Sequence, residues 1–223
     1  LYRFVWYPMA FRFKYGFWPP PLGTDLTGYE QIIDFIHEMR IFELEGDMLE
    51  IGTFIGGGAY KLSKYLERVA PTKKLYVVDI FDPLFDWTEN TAGRRMAEIY
   101  LAHLKGRSQE EVFMKIAGNR PNIVVIKGDS KRIELPVRKL CFAFIDGNHE
   151  PSYVENDFYL AWDRLVPGGI VGFDDYGYDL PAVTNTIDYL IERHKQEISK
   201  IERRGVKLIF IQKKGQVQIA PAL

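Results

Sequence analysis

Residues 48–60 read MLEIGTFIGGGAY, a short apolar run that leads into a glycine-rich segment. The run 48–53 is typical of a buried β-strand, and the spacing after it predicts a helix over 58–68. Glycines at such a strand-to-helix turn let the backbone approach a ligand closely. The pattern E-x-G-x-x-x-G-x-G differs from the G-x-G-x-x-G of dinucleotide sites, and Lys61 stands three residues too late for a phosphate-binding P-loop.

The chain alternates strand and helix patterns on both sides of this turn. Further strands are predicted at 75–80, 122–129, 140–146 and 169–175, and two more in a hairpin over 207–220 around Lys214-Gly215. Helices are predicted at 27–42, at 94–118 in two pieces, at 151–165 and at 181–203. Strands that alternate with helices indicate an α/β fold with a doubly wound, mostly parallel sheet of seven strands and a C-terminal antiparallel hairpin.

The composition limits the classes of partner. The chain has 223 residues, with 29 Lys and Arg against 30 Asp and Glu, so no bulk charge attracts nucleic acid or anionic lipid. No apolar run is long enough to span a bilayer, and membrane binding is not expected. The single cysteine, Cys141, excludes a disulfide framework and a cysteine-based zinc cluster. A soluble, cytoplasmic protein is the resulting expectation.

The N-terminal segment differs from the rest of the chain. Nine of its first eighteen residues are aromatic, three are basic and none is acidic, and Pro19–Pro21 then break any helix. We therefore divide the chain into an aromatic arm and linker, 1–26, and one domain, 27–223. So many aromatic side chains are expected to be buried against another surface. We expect a homo-oligomer, a dimer in its simplest form, with the arm buried against its own or a neighbouring subunit. A peripheral membrane role is the alternative for the arm.

Polar residues follow the second and third predicted strands. Asp79 ends the second strand, 27 residues beyond Gly52, where a carboxylate can accept both hydroxyls of a ribose. Asp82 is a competitor for that role, and a turn aspartate is the ordinary alternative. Asp129 and Ser130 follow the third strand, where they can border an adenine. Together with the glycine-rich turn, these positions predict a pocket for an adenosine-containing ligand.

These motifs resemble those of the class I S-adenosylmethionine-dependent methyltransferases over about residues 45–220. LEIGTFIGGGAY resembles the first motif of that family, VVDIF the second, and VPGGIVGFDD the segment before and along the fifth strand. The resemblance implies a Rossmann-like sheet and S-adenosyl-L-methionine as cofactor. It also implies the cofactor-binding residues. Glu50 and Gly52 would flank the methionine moiety, Thr53 would bind the cofactor from the same loop, and Gly56 and Gly58 would let the backbone close on it. Asp79 would hold the ribose, and Asp129 with Ser130 would border the adenine.

A second group of polar residues follows the fourth and fifth strands. Asp146-Gly-Asn-His149 ends the fourth strand, and Asp174-Asp175 ends the fifth. Adjacent parallel strands lie about 4.8 Å apart, so these carboxylates can converge above one sheet edge. Crowded carboxylates repel one another unless a cation or a proton neutralises them. A hard divalent ion such as Mg²⁺ would satisfy them, and the alternative is that Asp174 or Asp175 caps a helix or turn.

This second group resembles the metal-dependent small-molecule O-methyltransferases of the catechol, caffeoyl-CoA and macrocin types. The resemblance implies metal ligation by Asp146, Asp174 and Asp175. The D-G-x-H form is similar to a branch that contains macrocin O-methyltransferases and proteins labelled cephalosporin hydroxylases. His149 is then the expected general base, acting together with Asp146, because an imidazole titrates near neutral pH. A local hydrogen-bonding role is the alternative for His149.

The resulting functional prediction is transfer of a methyl group to a hydroxyl of a small molecule, with Mg²⁺ as the expected ion. A sugar hydroxyl and a catechol-like phenol are both compatible with the sequence. Two alternatives stay open: an NAD-dependent oxidoreductase, which the glycine spacing disfavours, and a non-catalytic module that binds an adenosine ligand. Residues 83–107 and the aromatic arm are expected to determine the acceptor.

Overall fold

A computed structural model describes residues 6–215. The strands are β1 (Asp47–Ile51), β2 (Leu75–Asp79), β3 (Ile123–Lys127), β4 (Leu140–Ile145), β5 (Leu165–Phe173), β6 (Ile198–Arg204) and β7 (Leu208–Lys213). The α-helices are α1 (Tyr7–Tyr15), α2 (Tyr29–Glu38), α3 (Gly57–Val69), α4 (Met96–Leu104), α5 (Gln109–Phe113), α6 (Pro151–Trp162) and α7 (Pro181–His194). Short 3₁₀ and π-helical turns follow α2 and α5, at Ile41–Glu43 and Met114–Gly118.

The strands form one sheet in the order β3-β2-β1-β4-β5-β7-β6. The first five are parallel, and β7 runs antiparallel to both β5 and β6. The strand order reverses between β1 and β4, so the loops that follow these two strands diverge and leave a crevice at their carboxyl ends. Crevices of this kind are where doubly wound sheets bind ligands.

Each face of the sheet carries its own hydrophobic core. Helices α2 and α3 cover one face, where Phe35, Phe142 and Phe210 are completely buried. Helices α6 and α7 cover the other face, around Phe158 and Trp162. Every residue of β4 is buried, because helices lie on both sides of it. The predicted α/β fold with a doubly wound, mostly parallel seven-stranded sheet is confirmed.

The C-terminal part of the sequence prediction was wrong in detail. The helix predicted over 181–203 ends at His194, and 198–204 form β6 instead. The hairpin turns at Gly205, which has a φ of +58°, and not at Lys214-Gly215. The second strand of the predicted hairpin, 216–220, lies outside the described residues. Strand β6 is an edge strand whose side chains are mostly charged and exposed, so its composition resembles that of a solvated helix.

The described part of the N-terminal segment packs on the body of the protein. Phe11 and Phe17 are buried in the core that also contains α2 and α3. The outer face of α1 is apolar as well, because Trp6, Met9 and Phe13 are exposed, Phe13 almost completely. Residues 6–215 contain no helix that is both long and apolar enough to cross a membrane. The boundary at residue 26, the oligomer and the cytoplasmic location stay predictions.

Candidate active site

Two cavities lie side by side at the carboxyl ends of the parallel strands. The first, of about 600 Å³, is lined by residues that follow β1, β2, β3 and β4, including Asp79, Asp129 and Ser130. The second, of about 790 Å³, is lined by residues that follow β1, β4 and β5, including Asp174 and Asp175. We call them the nucleoside cavity and the acidic cavity. Their walls share four residues, Gly52, Phe54, Tyr100 and Asp146.

Gly52 stands where the two cavities meet. Its φ is +81°, and a Cβ placed on it would lie 2.0 Å from the carbonyl oxygen of Asp146. Only glycine can occupy this position without a shift of the backbone. The other two predicted cofactor-binding glycines have protein neighbours: a Cβ on Gly58 would meet the ring of Tyr29, and one on Gly56 would meet Phe113. Gly58 lines the acidic cavity, whereas Gly56 lies behind the loop, against Phe113.

Glu50 lies beneath the loop and is completely buried in β1. Its Oε1 accepts a hydrogen bond from the hydroxyl of Tyr29, and its Oε2 has no hydrogen-bond partner among the described residues. Burial raises the pKa of Glu50 to about 7. Thr53, in the loop itself, lines the acidic cavity. Glu50 therefore connects β1 to α2 through Tyr29, and it lines neither cavity.

Asp79 forms part of the wall of the nucleoside cavity. Its Oδ2 accepts hydrogen bonds from the backbone amides of Thr53 (2.9 Å) and Phe54 (3.1 Å). Its Oδ1 accepts from the amide of Phe81 (2.7 Å) and from Nε2 of Gln109 (3.2 Å). Burial raises the pKa of Asp79, although these donors oppose the shift. This carboxylate thus ties the end of β2 to the glycine-rich loop, which the sequence analysis did not foresee.

Asp82, the alternative to Asp79 as the ribose-binding residue, also lines the nucleoside cavity. So do Asp129 and Ser130, which were predicted to lie at the adenine. Asp82 is exposed and accepts from the amide of Leu84 in a local turn. Asp129 accepts from the amide of Lys131 at 2.9 Å and from the hydroxyl of Tyr153 at 3.3 Å. A further carboxylate, Asp157 on α6, belongs to the same wall and was missed, because its place on a helix gives no local signal.

The predicted metal ligands Asp146, Asp174 and Asp175 come together in the acidic cavity. The hydroxyl of Thr27 lies 2.8 Å from Oδ2 of Asp146 and 3.0 Å from Oδ2 of Asp174. The ammonium group of Lys207 donates to Asp174 and lies 3.4 Å from Oδ1 of Asp175. Thr27 and Lys207 were missed, because both come from parts of the chain remote from these acids.

The electrostatics of the three carboxylates differ. Burial, and then repulsion by the neighbouring carboxylates, raises the pKa of Asp146 well above its usual range. The same two causes raise the pKa of Asp174 to about 6. Burial acts on Asp175 as well, but His149 and Lys207 outweigh it and lower its pKa. Burial and mutual repulsion therefore favour the neutral form of Asp146 and, more weakly, of Asp174, and a bound cation would oppose both shifts.

His149 is buried between two carboxylates and forms part of neither cavity wall. Its Nδ1 lies 2.5 Å from Oδ2 of Asp86, and its Nε2 lies 3.1 Å from Oδ2 of Asp175. Burial alone would lower the pKa of His149, but Asp175 and Asp86 outweigh burial and raise it to about 10. Asp86, in the loop after β2, was not predicted as a site residue.

The donor set suits a divalent cation. Asp146, His149 and Asp175 each offer one ligand atom, and the three atoms lie within 4.8 Å of one another. Carboxylate oxygens and imidazole nitrogen are common ligands for divalent ions in proteins. The residues present therefore fit a metal ion. That Mg²⁺ is the ion stays a prediction.

Comparison with known proteins agrees with this geometry. A family model described as "Methyltransferase domain" matches residues 49–176, which include the glycine-rich loop and all three clustered aspartates. The chain belongs to this methyltransferase domain family. The predicted family is confirmed. A viral relative, the uncharacterized protein R132 of Acanthamoeba polyphaga mimivirus, is 29% identical over 134 residues, 57% of this chain and 50% of that protein. The chain thus spans about half the length of this curated relative.

Solved methyltransferase structures share the fold. The O-methyltransferase NovP superposes with a TM-score of 0.65 at 18% identity, over 83% of this chain and 79% of that one. TomG from Streptomyces achromogenes, in complex with SAM, gives 0.52 at 15% identity, over 93% and 87% of the two chains. MycE, in complex with Mg, SAH and mycinamycin VI, gives 0.53 at 15% identity, over 85% and 50%. At these identities the likeness establishes the Rossmann-like methyltransferase fold.

Proposed function

We propose that this protein is an S-adenosylmethionine-dependent O-methyltransferase that acts on a hydroxyl of a small molecule, with a divalent metal ion in the acidic cavity. One observation carries the proposal: the nucleoside cavity and the acidic cavity meet at Gly52, Phe54, Tyr100 and Asp146. A cofactor in the first cavity can present a reactive group to a molecule in the second only across such a shared wall.

The nucleoside cavity supports the choice of cofactor. Backbone amides of the glycine-rich loop hold Asp79 in the wall of this cavity, and this carboxylate is the proposed partner of the ribose hydroxyls. Asp129 and Ser130 line the same cavity, and we assign them to the adenine. The close approach of Gly52 to the Asp146 carbonyl leaves no room there for a side chain.

The acidic cavity supports the choice of reaction. When bound, S-adenosylmethionine supplies an electrophilic methyl group, and a divalent ion makes a nearby hydroxyl more acidic. Tyr29, Tyr178 and Leu180 give this cavity an apolar and aromatic side that can hold the body of a small molecule. Met96, Ile99 and Tyr100 come from the predicted acceptor-determining segment 83–107. The chain's own contribution is to position the acceptor and to exclude water.

Asp146 is the residue we assign to receive the proton of the acceptor hydroxyl. Asp146 is the one carboxylate among the described residues that lines both cavities, so it faces the place where donor and acceptor meet. We retain Asp146 as a catalytic residue in this proposal. The role of His149 as base stays a prediction, since His149 lines neither cavity.

Methyl transfer is tested with S-adenosylmethionine that carries a deuterated methyl group and a panel of glycosides and catechols. The proposal predicts S-adenosylhomocysteine release that depends on one acceptor class, and a product with one labelled methyl on oxygen, measured by mass spectrometry. Binding of S-adenosylhomocysteine with no turnover on either class would favour the non-catalytic binding module. Stoichiometric oxidation of an acceptor with NAD would replace the proposal by the oxidoreductase.

We also propose that the protein is a homo-oligomer in which the exposed face of α1 is covered by a second copy. Trp6, Met9 and Phe13 lie one helical turn apart on this face and are at least half exposed. Light scattering of the full chain should give the mass of a dimer, and Phe13→Glu should give the mass of a monomer. A monomeric full chain refutes this assembly.

A further inference from the structure

Asp157 is a buried carboxylate that takes no part in the proposed transfer step. It lies on α6, is 1% exposed and forms part of the wall of the nucleoside cavity. Its Oδ1 accepts a hydrogen bond from Nδ2 of Asn156 at 2.9 Å, whereas its Oδ2 is buried and has no hydrogen-bond partner among the described residues. A buried acceptor without a donor is unfavourable. This oxygen therefore marks a place where a bound molecule can donate a hydrogen bond.

The neighbours of Asp157 come from the turns after β3 and β4. A Cβ placed on Gly147, directly after β4, would lie 3.2 Å from Oδ2, so glycine leaves this oxygen uncovered on that side. Burial raises the pKa of Asp157 to about 6, and the side chains of Ser130 and Asn156 oppose this shift. Ser130 therefore lies close to the carboxyl group, although Oδ2 receives no hydrogen bond of ordinary geometry from it. Asp157 thus adjoins one of the two residues that we assign to the adenine.

The other carboxylates that could bind the ligand's base are already engaged. Oδ1 of Asp129 accepts from a backbone amide, and its Oδ2 lies 3.3 Å from the hydroxyl of Tyr153 and 3.3 Å from Nε of Arg132. Both oxygens of Asp79 accept hydrogen bonds from the protein itself. Of these three carboxylates, Asp157 is the one with a buried oxygen that lacks a donor among the described residues.

We infer that Asp157 selects the base of the cofactor: its Oδ2 accepts a hydrogen bond from the exocyclic amino group of a 6-aminopurine and disfavours a purine with a carbonyl group there. This inference rests on the adenosine-containing cofactor of the proposed function. An ionised carboxylate and a carbonyl oxygen are both acceptors, so facing each other they leave both groups unsatisfied. Sites built to make one hydrogen bond strongly reject an analogue that cannot make it. Asp129 and Ser130 then border the adenine without deciding which base binds.

Asn156 makes it possible to reverse this selectivity by a change of one atom. Its Nδ2 donates to Oδ1 of Asp157. In Asp157→Asn, the new amide should keep its oxygen at this donor, which places its NH₂ group where Oδ2 lies in the wild type. The shape of the side chain is retained, but a donor replaces an acceptor at the cavity wall. Such a side chain suits a carbonyl group on the base and no longer an amino group.

The test compares two ligands by calorimetry at pH 8, where the carboxylate of Asp157 is ionised. They are S-adenosylhomocysteine and S-inosylhomocysteine, in which a carbonyl group replaces the amino group. The wild-type chain should bind S-adenosylhomocysteine at least about thirtyfold more tightly. Asp157→Asn should lower this affinity ratio at least about tenfold, the effect of one charge-assisted hydrogen bond. Asp163→Asn, at an exposed aspartate directly after α6, is the matched control and should leave the ratio unchanged.

A third ligand tests the hydrogen bond in the wild-type chain itself. This analogue of S-adenosylhomocysteine carries hydrogen in place of the amino group and keeps the ribose and the amino-acid part. It should bind at least about tenfold more weakly than S-adenosylhomocysteine, because Oδ2 of Asp157 then stays without a donor. The measurement needs no variant, so it decides the matter even if Asp157→Asn does not fold.

Three results would overturn the inference. The first is a wild-type chain that binds all three ligands about equally. The second is an affinity ratio that Asp157→Asn leaves at the wild-type value. The third is a ratio that falls in Asp129→Asn and not in Asp157→Asn, which would transfer the role to Asp129. In each case S-adenosylhomocysteine still binds, so the cofactor of the proposed function stands. A wild-type chain that binds none of the ligands would overturn that cofactor, and this inference with it.

Discussion

The nucleoside cavity and the acidic cavity differ in how their carboxylates are satisfied. In the nucleoside cavity, Asp79 accepts from three backbone amides and from Gln109, so its charge is stabilised by the fold itself. In the acidic cavity, Asp146, Asp174 and Asp175 share one lysine and one hydroxyl, and Asp175 also lies 3.1 Å from Nε2 of His149. Oδ1 of Asp174 and Nε2 of His149 are buried and have no hydrogen-bond partner among the described residues.

The nucleoside cavity is therefore a preorganised binding surface, whereas the acidic cavity needs a further positive charge. Buried polar atoms usually find partners, and exceptions mark functional sites or places where an ion binds. In the nucleoside cavity, Oδ2 of Asp157 is the buried side-chain atom that lacks a partner among the described residues, and it can accept a hydrogen bond from an uncharged sugar or base. The acidic cavity reaches electrostatic balance only when a cation or protons are added. The following predictions test this contrast, from the largest expected effect to the smallest.

Gly52→Ala should damage both cavities at once. The new Cβ would lie 2.0 Å from the Asp146 carbonyl oxygen, at a φ of +81°. Strain and overpacking together should lower the free energy of unfolding by about 3 kcal/mol or more. Gly106→Ala is the matched control, because Gly106 has a φ of +78° and open space around it, and it should cost only about 1 kcal/mol. Urea unfolding of both variants measures the difference, and equal losses would contradict the close approach.

Removal of divalent ions should act on the acidic cavity alone. EDTA should lower turnover at least about 100-fold, because metal-assisted activation of a hydroxyl contributes several kcal/mol to the transition state. Asp146→Asn and Asp175→Asn should behave like the chelated enzyme. S-adenosylhomocysteine affinity should stay within about twofold of the untreated value, because the donors to Asp79 are untouched. Full turnover in EDTA would make the three carboxylates structural.

Asp79→Ala should act most strongly on the nucleoside cavity, although it also frees the Thr53 and Phe54 amides of the glycine-rich loop. The change removes the carboxylate that the ribose is expected to meet, and charge-assisted hydrogen bonds contribute roughly 1.5–3 kcal/mol each. S-adenosylhomocysteine affinity should fall at least tenfold, as measured by calorimetry, and more than metal affinity does. Asp82→Ala is the control on the same loop. An affinity that falls with Asp82→Ala and not with Asp79→Ala would transfer the ribose role to the competitor.

Glu50→Gln should produce a smaller effect, on the pH dependence of stability. The pKa of Glu50 is about 7 in the folded protein, against an ordinary value of 4.5. The folded state therefore holds the proton more tightly, and its stability falls as pH rises from 4.5 through 7. Between pH 6 and pH 8 the wild type should lose about 1 kcal/mol more than Glu50→Gln, measured by urea unfolding at both pH values. Equal losses of unfolding free energy in the wild type and in Glu50→Gln would show that Glu50 does not titrate in this range.

The parallel half of the fold could be predicted because each strand is a buried apolar run that ends at a polar or glycine-rich turn. Asp79, Asp146 and Asp175 were predictable for the same reason, since each follows such a run directly. The C-terminal hairpin was misplaced because β6 gains its structure from pairing with β7, and not from its own composition. Edge strands with charged side chains give little local signal.

The side chains that contact the site residues from distant parts of the chain could not be predicted, because no local sequence pattern marks them. Thr27 contacts Asp146 across 119 residues of sequence, and Asp86 contacts His149 across 63. Lys207 lies at the start of a strand whose position was predicted only roughly. These three side chains decide which carboxylates are neutralised and how the histidine is oriented. The chemical character of the acidic cavity therefore depends on the tertiary structure.

Calorimetric titration of the wild-type chain with S-adenosylhomocysteine and, separately, with NADH tests the central claim most directly. The nucleoside cavity should bind S-adenosylhomocysteine at one site per chain, with a dissociation constant at least about tenfold below that for NADH, because the glycine-rich loop lacks the dinucleotide spacing. Tighter binding of NADH, or no binding of S-adenosylhomocysteine, would contradict the assignment of this cavity to a methyl-donor cofactor.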